Sequence, residues 1–268
     1  MKIAFMLRSN EVLADGITAP NAPFETMVPL MKEAGYDGVE FMFSDPEKAD
    51  FTKIFRVCEE NDLEIAAFCS GEMYGSEKMT MSNPDKEIRE KTLRKMKVLM
   101  AAAQDQKIPV NCGRVKGRFC DEQHPADTVK YIVEGMREVA LSAPEVPLMI
   151  ETVCRKYSNI IKTTDEAMAL IKEVAVPNVT LMLDNDHMII EHECFEESFT
   201  RAKDVLVHTH ICDSDRKMPG QGNYPLADYV NALKKCGFER YISVECLPQK
   251  TPKEDMEESI AYVKKLLA

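Results

Sequence analysis

Four apolar runs of this sequence hold groups able to bind a cation or move a proton. Pro-Leu-Met-Ile closes on Glu151, Thr-Leu-Met-Leu on Asp184 and Ile-Ser-Val on Glu245, while Val205–Ile211 carries His208-Thr-His210. An apolar run that finishes in a carboxylate is unusual, because a buried charge needs a partner or a metal. Taken singly, each such group is as readily a cap on a neighbouring loop; four on consecutive runs point to one site. Two Glu, one Asp and one His make a first shell for a divalent cation, an oxygen-rich set that favours Mn²⁺, with Mg²⁺ or Co²⁺ close behind, over a sulfur-preferring metal. His208 and His210 share a strand face; His210 lies nearer the run's end and is the better ligand, whereas His208 reads as a core histidine hydrogen-bonded to a neighbour. His187, three residues after Asp184, could reach a substrate hydroxyl, and His124 and His192 read as solvated. The segment Asp213–Gly222 can lie close over a ligand through Gly220 and Gly222, with Arg216 pointing in, or form an ordinary turn with a solvated Arg.

The elements that must position these groups alternate regularly. Eight short runs rich in Ile, Val, Leu, Met and Phe occupy Lys2–Leu7, Gly38–Met42, Glu64–Cys69, Pro109–Gly113, Pro147–Glu151, Val179–Asp184, Val205–Ile211 and Tyr241–Glu245. Near-continuous apolar character is what a strand buried on both faces of a parallel sheet requires. Between them, Thr26–Ala34, Asp85–Gln104, Asp127–Leu141, Asp165–Val174, Leu226–Cys236 and Met256–Leu267 repeat apolar residues at helical spacing. Alternating short strands and helices predict right-handed βαβ units. Eight such units in 268 residues predict one (β/α)₈ barrel domain over 1–268, with the strand ends converging on a catalytic rim. Met73–Pro84 and Arg114–Pro125 read as long rim loops. A doubly wound sheet would carry a Gly-rich phosphate turn after its first strand; that turn is Arg8-Ser9-Asn10-Glu11.

The net charge of −11 disfavours nucleic acid and anionic membrane surfaces as partners. Nine scattered cysteines without a C-x-x-C pair, and a start too soon charged for a signal sequence, lead us to expect reduced thiols in a cytoplasmic protein. No run of ~18 apolar residues predicts a membrane span.

Taken in order, Ala-Gly-Tyr-Asp-Gly-Val-Glu40, Glu151 with Arg155, Asp184-x-x-His187, His208-x-His210 with Asp213 and Arg216, Pro-Gly-x-Gly at 219–222 and Glu245 span nearly the whole chain. This set resembles the xylose-isomerase-like TIM-barrel superfamily of sugar isomerases and epimerases, most nearly its ketose 3-epimerase branch of tagatose and psicose epimerases. The resemblance implies that Glu151, Asp184, His210 and Glu245 bind one metal ion, Zn²⁺ being a further candidate. It implies that Glu151 and Glu245 are the acid/base pair and that His187 and Arg216 contact substrate hydroxyls. The reaction it implies is proton transfer α to a carbonyl through a metal-stabilised enediolate. Exchange at C3 would make the protein an epimerase, and exchange between C1 and C2 an aldose–ketose isomerase. Dimers and tetramers are common in that superfamily, so a homo-oligomer is compatible with it.

The stretch Glu151-Thr-Val-Cys-Arg155-Lys-Tyr157 lacks the second Glu usual in that branch, and Arg8 stands where free-ketose enzymes tend to be apolar or aromatic. Arg8, Arg114, Lys116, Arg118, Arg155 and Arg216 all follow strands, so in a barrel they would ring the mouth and suit a phosphorylated or acidic sugar. The alternative is that they pair with rim carboxylates. Other readings are a keto-inositol or dehydroshikimate dehydratase on the same scaffold, and a non-catalytic sugar-binding subunit. The latter would be expected to have lost a catalytic carboxylate, yet both are present. A three-metal nuclease would need further His where the chain reads Glu40-Phe-Met, Cys69-Ser and Asn111-Cys-Gly.

Overall fold

A computed structural model describes all 268 residues. Strands β1 (Lys2–Arg8), β2 (Gly38–Met42), β3 (Glu64–Cys69), β4 (Val110–Cys112), β5 (Leu148–Glu151), β6 (Val179–Asp184), β7 (Leu206–Ile211) and β8 (Tyr241–Val244) pair in sequence order. All pairings are parallel, and β1 closes on β8 through Lys2↔Tyr241 and Ala4↔Ser243. The eight expected strands are therefore present in a closed barrel. Helices α1 (Phe24–Ala34), α2 (Phe51–Glu60), α3 (Gly71–Glu77), α4 (Lys86–Ala103), α5 (Pro125–Ser142), α6 (Thr164–Val174), α7 (Asn185–Ile190), α8 (Phe195–Ala202), α9 (Leu226–Lys235) and α10 (Pro252–Leu267) accompany it.

Helix starts follow local chemistry. The Asp50, Asp85 and Thr163 side chains accept from backbone N–H groups of the first turns of α2, α4 and α6, and Thr251 with Glu254 forms a capping box on α10. The packed faces of α4 and α5 and the outward strand residues merge into one apolar layer between barrel and helices, in which Phe41, Phe68, Leu148, Leu181 and Leu99 are fully buried. Four helices lie where no helix was expected, and α3 takes up the first part of the presumed Met73–Pro84 loop. No helix is long and apolar enough to cross a membrane.

Two irregularities set the inward side chains. β2 steps from Val39↔Ile65 to Glu40↔Ala67, and β6 steps from Leu181↔Leu206 to Met182↔His208, so β3 and β7 each carry one inserted residue. Such bulges re-aim side chains beside functional sites. Inside the barrel, Ala67, Met149, Met182 and Val207 pack as an apolar plug. Glu151 and Asp184 stand two residues further along than Met149 and Met182, on the same strand faces. The plug thus floors the polar layer and shuts water out from below.

Candidate active site

Glu151 ends β5, Asp184 ends β6, His210 lies in β7 and Glu245 directly follows β8. One ligand atom from each falls within 4.8 Å of the others. His210 Nδ1 is 3.1 Å from Glu245 Oε2, 3.6 Å from Asp184 Oδ2 and 3.8 Å from Glu151 Oε1. That nitrogen is buried and makes no well-formed hydrogen bond within the protein. Its ring partner, Nε2, lies 3.1 Å from both oxygens of Glu40, which also sits 2.8 Å from His208 Nε2. With the Nε2 proton held by Glu40, a cation that displaces the Nδ1 proton would meet the Nδ1 lone pair and three carboxylates. That is the donor arrangement a divalent cation completes, with a carboxylate behind the imidazole to orient it and raise its basicity.

The protein's own charges show the same demand for a cation. Arg216 Nη1 donates to Asp184 Oδ2 at 2.7 Å and Glu245 Oε2 at 2.9 Å, and its Nε lies 3.2 Å from Asp186 Oδ2. Asp215 and Arg216 hold left-handed φ of 59° and 57°, a conformation that costs about 1 kcal/mol or more per residue and that aims the guanidinium into the cluster. Burial opposes the Asp184 charge, but Arg216, helped by His210, more than offsets it and holds the carboxyl well below its usual range. Glu151 moves the other way, up to about 7, through burial and the repulsion of Glu245 and Asp184 against the pull of His210. Burial brings His187 down to about 4, against the attraction of Asp184, so its ring is neutral at pH 7. His210 is held well above its usual range; burial works against its charge, and Glu40 and Glu245 outweigh it.

Each glutamate has its outer oxygen held by a neutral donor. Asn111 Nδ2 donates to Glu151 Oε2 at 2.9 Å, and Thr18 Oγ1 donates to Glu245 Oε1 at 2.9 Å. Neutral donors fix orientation without cancelling the charge a proton acceptor needs. At Gly113 a Cβ would stand 2.3 Å from Glu151 Oε2, so only glycine leaves room for that carboxylate. Above the cluster opens a cavity of about 430 Å³ lined by Glu151, His187, Arg216 and Glu245, together with Thr18, Glu72 and Arg114.

The structure places the expected residues unevenly. Glu151, Asp184, His210 and Glu245 converge; His187, on α7 rather than in a loop, and Arg216 stand beside them, and Arg114 lines the cavity. Arg155 does not: its side chain is 61% exposed and forks onto Glu191 at 2.7 and 3.0 Å, outside the cavity. Arg8 also turns away and donates to the Ala14 carbonyl at 2.8 Å, tying down its own loop. Lys116 is wholly buried against the Gly113 carbonyl. The ring of six cations is thus reduced at the cavity wall to Arg114 and Arg216. Gly220 and Gly222 serve the loop's own packing, against Tyr262 and Asp213, rather than a ligand. His208 is the hydrogen-bonded core histidine expected. Glu40, Asn111 and Thr18 had not been assigned roles; only Glu40 left a signal, as a lone carboxylate within Gly-Val-Glu-Phe-Met.

A model of the family described as "Xylose isomerase-like TIM barrel" matches residues 28–266. The D-psicose 3-epimerase of Agrobacterium fabrum is 32% identical over 115 residues, which are 42% of this chain and 40% of that protein. The L-ribulose 3-epimerase of Methylomonas sp. is 29% identical over 217 residues, 79% of this chain and 74% of the relative. Among solved structures, a D-psicose 3-epimerase from Clostridium cellulolyticum H10, crystallised with D-tagatose, superposes with a TM-score of 0.83 at 19% identity, covering 100% of this chain and 99% of that one. At that identity the superposition speaks for the fold alone. Closed parallel barrel, carboxylate-rich rim and a match over most of the sequence agree: the chain belongs to the xylose isomerase-like TIM barrel family.

Proposed function

We propose that the protein is a divalent-metal-dependent sugar epimerase of the ketose 3-epimerase type, an isomerase-class enzyme that inverts a carbon next to a carbonyl. The observation that carries this reading is the convergence of Glu151, Asp184, Glu245 and the unpartnered Nδ1 of His210. Relatives with epimerase names support it. Three carboxylates and one imidazole are a hard-to-borderline donor set, for which Mn²⁺ is our choice. A divalent cation held there supplies stabilisation of the negative charge that develops on the substrate's oxygens as the adjacent C–H proton leaves.

The chain's own residues do the rest. Glu151 and Glu245 come from strands three apart in an eight-stranded ring, so they reach one substrate carbon from different sides. One removes the proton and the other returns it on the opposite face, which inverts the centre. Asn111 and Thr18 keep both carboxylates aimed. His187, neutral at pH 7, can donate to or accept from a substrate hydroxyl, and Arg216 offsets the charge of the cluster. The apolar plug below excludes water. Treatment with chelator, then Mn²⁺, in the presence of ketopentoses and ketohexoses tests the reading. Metal-restored formation of the C3 epimer, lost in Glu151→Gln and Glu245→Gln, is expected. Full activity after chelation, or in either variant, would contradict it.

A further inference from the structure

We infer that the β3–β4 side of the cavity is a subsite for an oxyanion, a terminal phosphate or carboxylate on the substrate's tail, with Lys78 and Arg114 as its donors. This rests on the sugar-epimerase reading and narrows its substrate class. Both residues line the same cavity as Glu151 and Glu245. They follow β3 and β4, on a part of the rim that contributes nothing to the metal-ligand set.

Neither makes a hydrogen bond to a carboxylate. Lys78 Nζ has no carboxylate within 4.0 Å and donates only to the Gly75 carbonyl at 3.2 Å. Arg114 donates to the Gly71 carbonyl at 3.1 Å, and its nearest carboxylate, Glu72, lies at 3.7 Å, beyond a hydrogen bond. An ammonium has three donors and a guanidinium five, so most of this capacity finds no hydrogen-bond partner within the protein. The contrast with the other cations after strands is sharp. Arg216 is spent on Asp184, Asp186 and Glu245 and Arg155 on Glu191, while Arg8 and Lys116 do not line the cavity. In a chain with 45 acidic and 34 basic side chains, two cations left open on one cavity wall need an explanation.

Tyr74 gathers them. Lys78 Nζ lies 5.1 Å and Arg114 Cζ 5.2 Å from its ring centroid, so the two are within about 10 Å of each other. Arg118 Nη1 donates to the Tyr74 hydroxyl at 2.9 Å, adding a third cation at the rim. The ring's electron-rich face offsets part of their repulsion. Glu72 is the one carboxylate on this wall, so the lining remains net positive with it ionised, and its oxygens suit a sugar hydroxyl beside the anion. An oxyanion offers the paired acceptors that an Arg fork and an ammonium complete.

The test uses the Mn²⁺-loaded enzyme with matched pairs: D-ribulose against D-ribulose 5-phosphate, and D-fructose against D-fructuronate. At least one anionic member should exceed its neutral partner about ten-fold in kcat/KM, and the winning pair tells phosphate from carboxylate. Lys78→Met and Arg114→Gln should each shrink that ratio about five-fold or more, chiefly through KM, and added NaCl should shrink it too. Lys78 is exposed, so its variant tests the idea even if Arg114→Gln folds poorly. Preference for the neutral sugar in both pairs, or a ratio unmoved in Lys78→Met, overturns the subsite while leaving the epimerase standing. If no sugar is turned over, the epimerase reading fails, and calorimetry with inorganic phosphate decides the subsite. Binding weakened in Lys78→Met upholds it, and no binding or equal binding overturns it.

Discussion

Glu40→Gln is the perturbation that discriminates most finely between an orienting carboxylate and a merely buried one. Glu40 has no exposed surface and lies 2.8 Å from His208 Nε2 and 3.1 Å from His210 Nε2. Glutamine keeps the shape but removes the charge, and it offers one acceptor and one donor to two ring N–H groups. One imidazole must then change tautomer or lose its partner. If that is His210, its Nδ1 gains the proton and ceases to be a ligand. Loss of such an outer carboxylate lowers metal affinity or activity by about 10- to 100-fold, or roughly 1.4–2.8 kcal/mol. Competition against a fluorescent chelator gives the Mn²⁺ affinity, and thermal unfolding of the metal-free protein gives a separate measure of fold stability. The expected result is weaker Mn²⁺ binding out of proportion to any change in melting temperature, with His208→Gln losing less. Mn²⁺ affinity within two-fold of wild type in Glu40→Gln would refute the reasoning.

Other outcomes follow from particular contacts. Gly113→Ala puts a Cβ 2.3 Å from Glu151 Oε2 and should cost about 100-fold in kcat, since a displacement near 1 Å at the reacting group has that effect; steady-state kinetics checks it. Thr18→Val removes the hydrogen bond to Glu245 and should lower kcat/KM about ten-fold without changing the melting temperature. Lys95→Met strips the buried ammonium from Asp45 at 2.8 Å and Glu77 at 3.4 Å and should destabilise by about 2 kcal/mol in denaturant titration, partly regained in the double variant with Asp45→Asn. For pH, burial works against the Glu40 charge, but His210 and His208 outweigh it and hold its folded pKa below the unfolded value of about 4.5. Its stabilisation is therefore present above that value and lost as pH falls below it. Metal-free Glu40→Gln lacks that contribution, so it should unfold in acid at a higher pH than the wild type and with a shallower pH dependence.

The barrel was legible because parallel strands covered on both faces must be apolar almost throughout, and eight such runs recur with helical spacing between them. Helix α2 was legible in principle, since Asp50 caps it and Ile54, Val57 and Cys58 share a face. Helices α3 and α7, of seven and six residues, are too short for periodicity to speak, and α7 carries His187. At the site, Glu151, Asp184 and Glu245 were legible because a carboxylate closing an apolar run contradicts its surroundings. Glu40 contradicts them equally but lies two residues before its run ends, and its partners are 168 and 170 residues away. Arg155 shows the converse limit. Position after a strand puts a residue on the rim, but direction depends on Glu191, 36 residues on, which draws the guanidinium outward.

The central claim is that Glu151 and Glu245 exchange a proton at a carbon next to a carbonyl. Incubating the Mn²⁺-loaded protein in D₂O with a responding ketose and following the product by proton NMR tests it directly. Deuterium entering at C3 of both epimers, abolished in Glu151→Gln and Glu245→Gln, is the result predicted. Epimer formation with no deuterium at C3, or exchange that survives loss of both carboxylates, would contradict it.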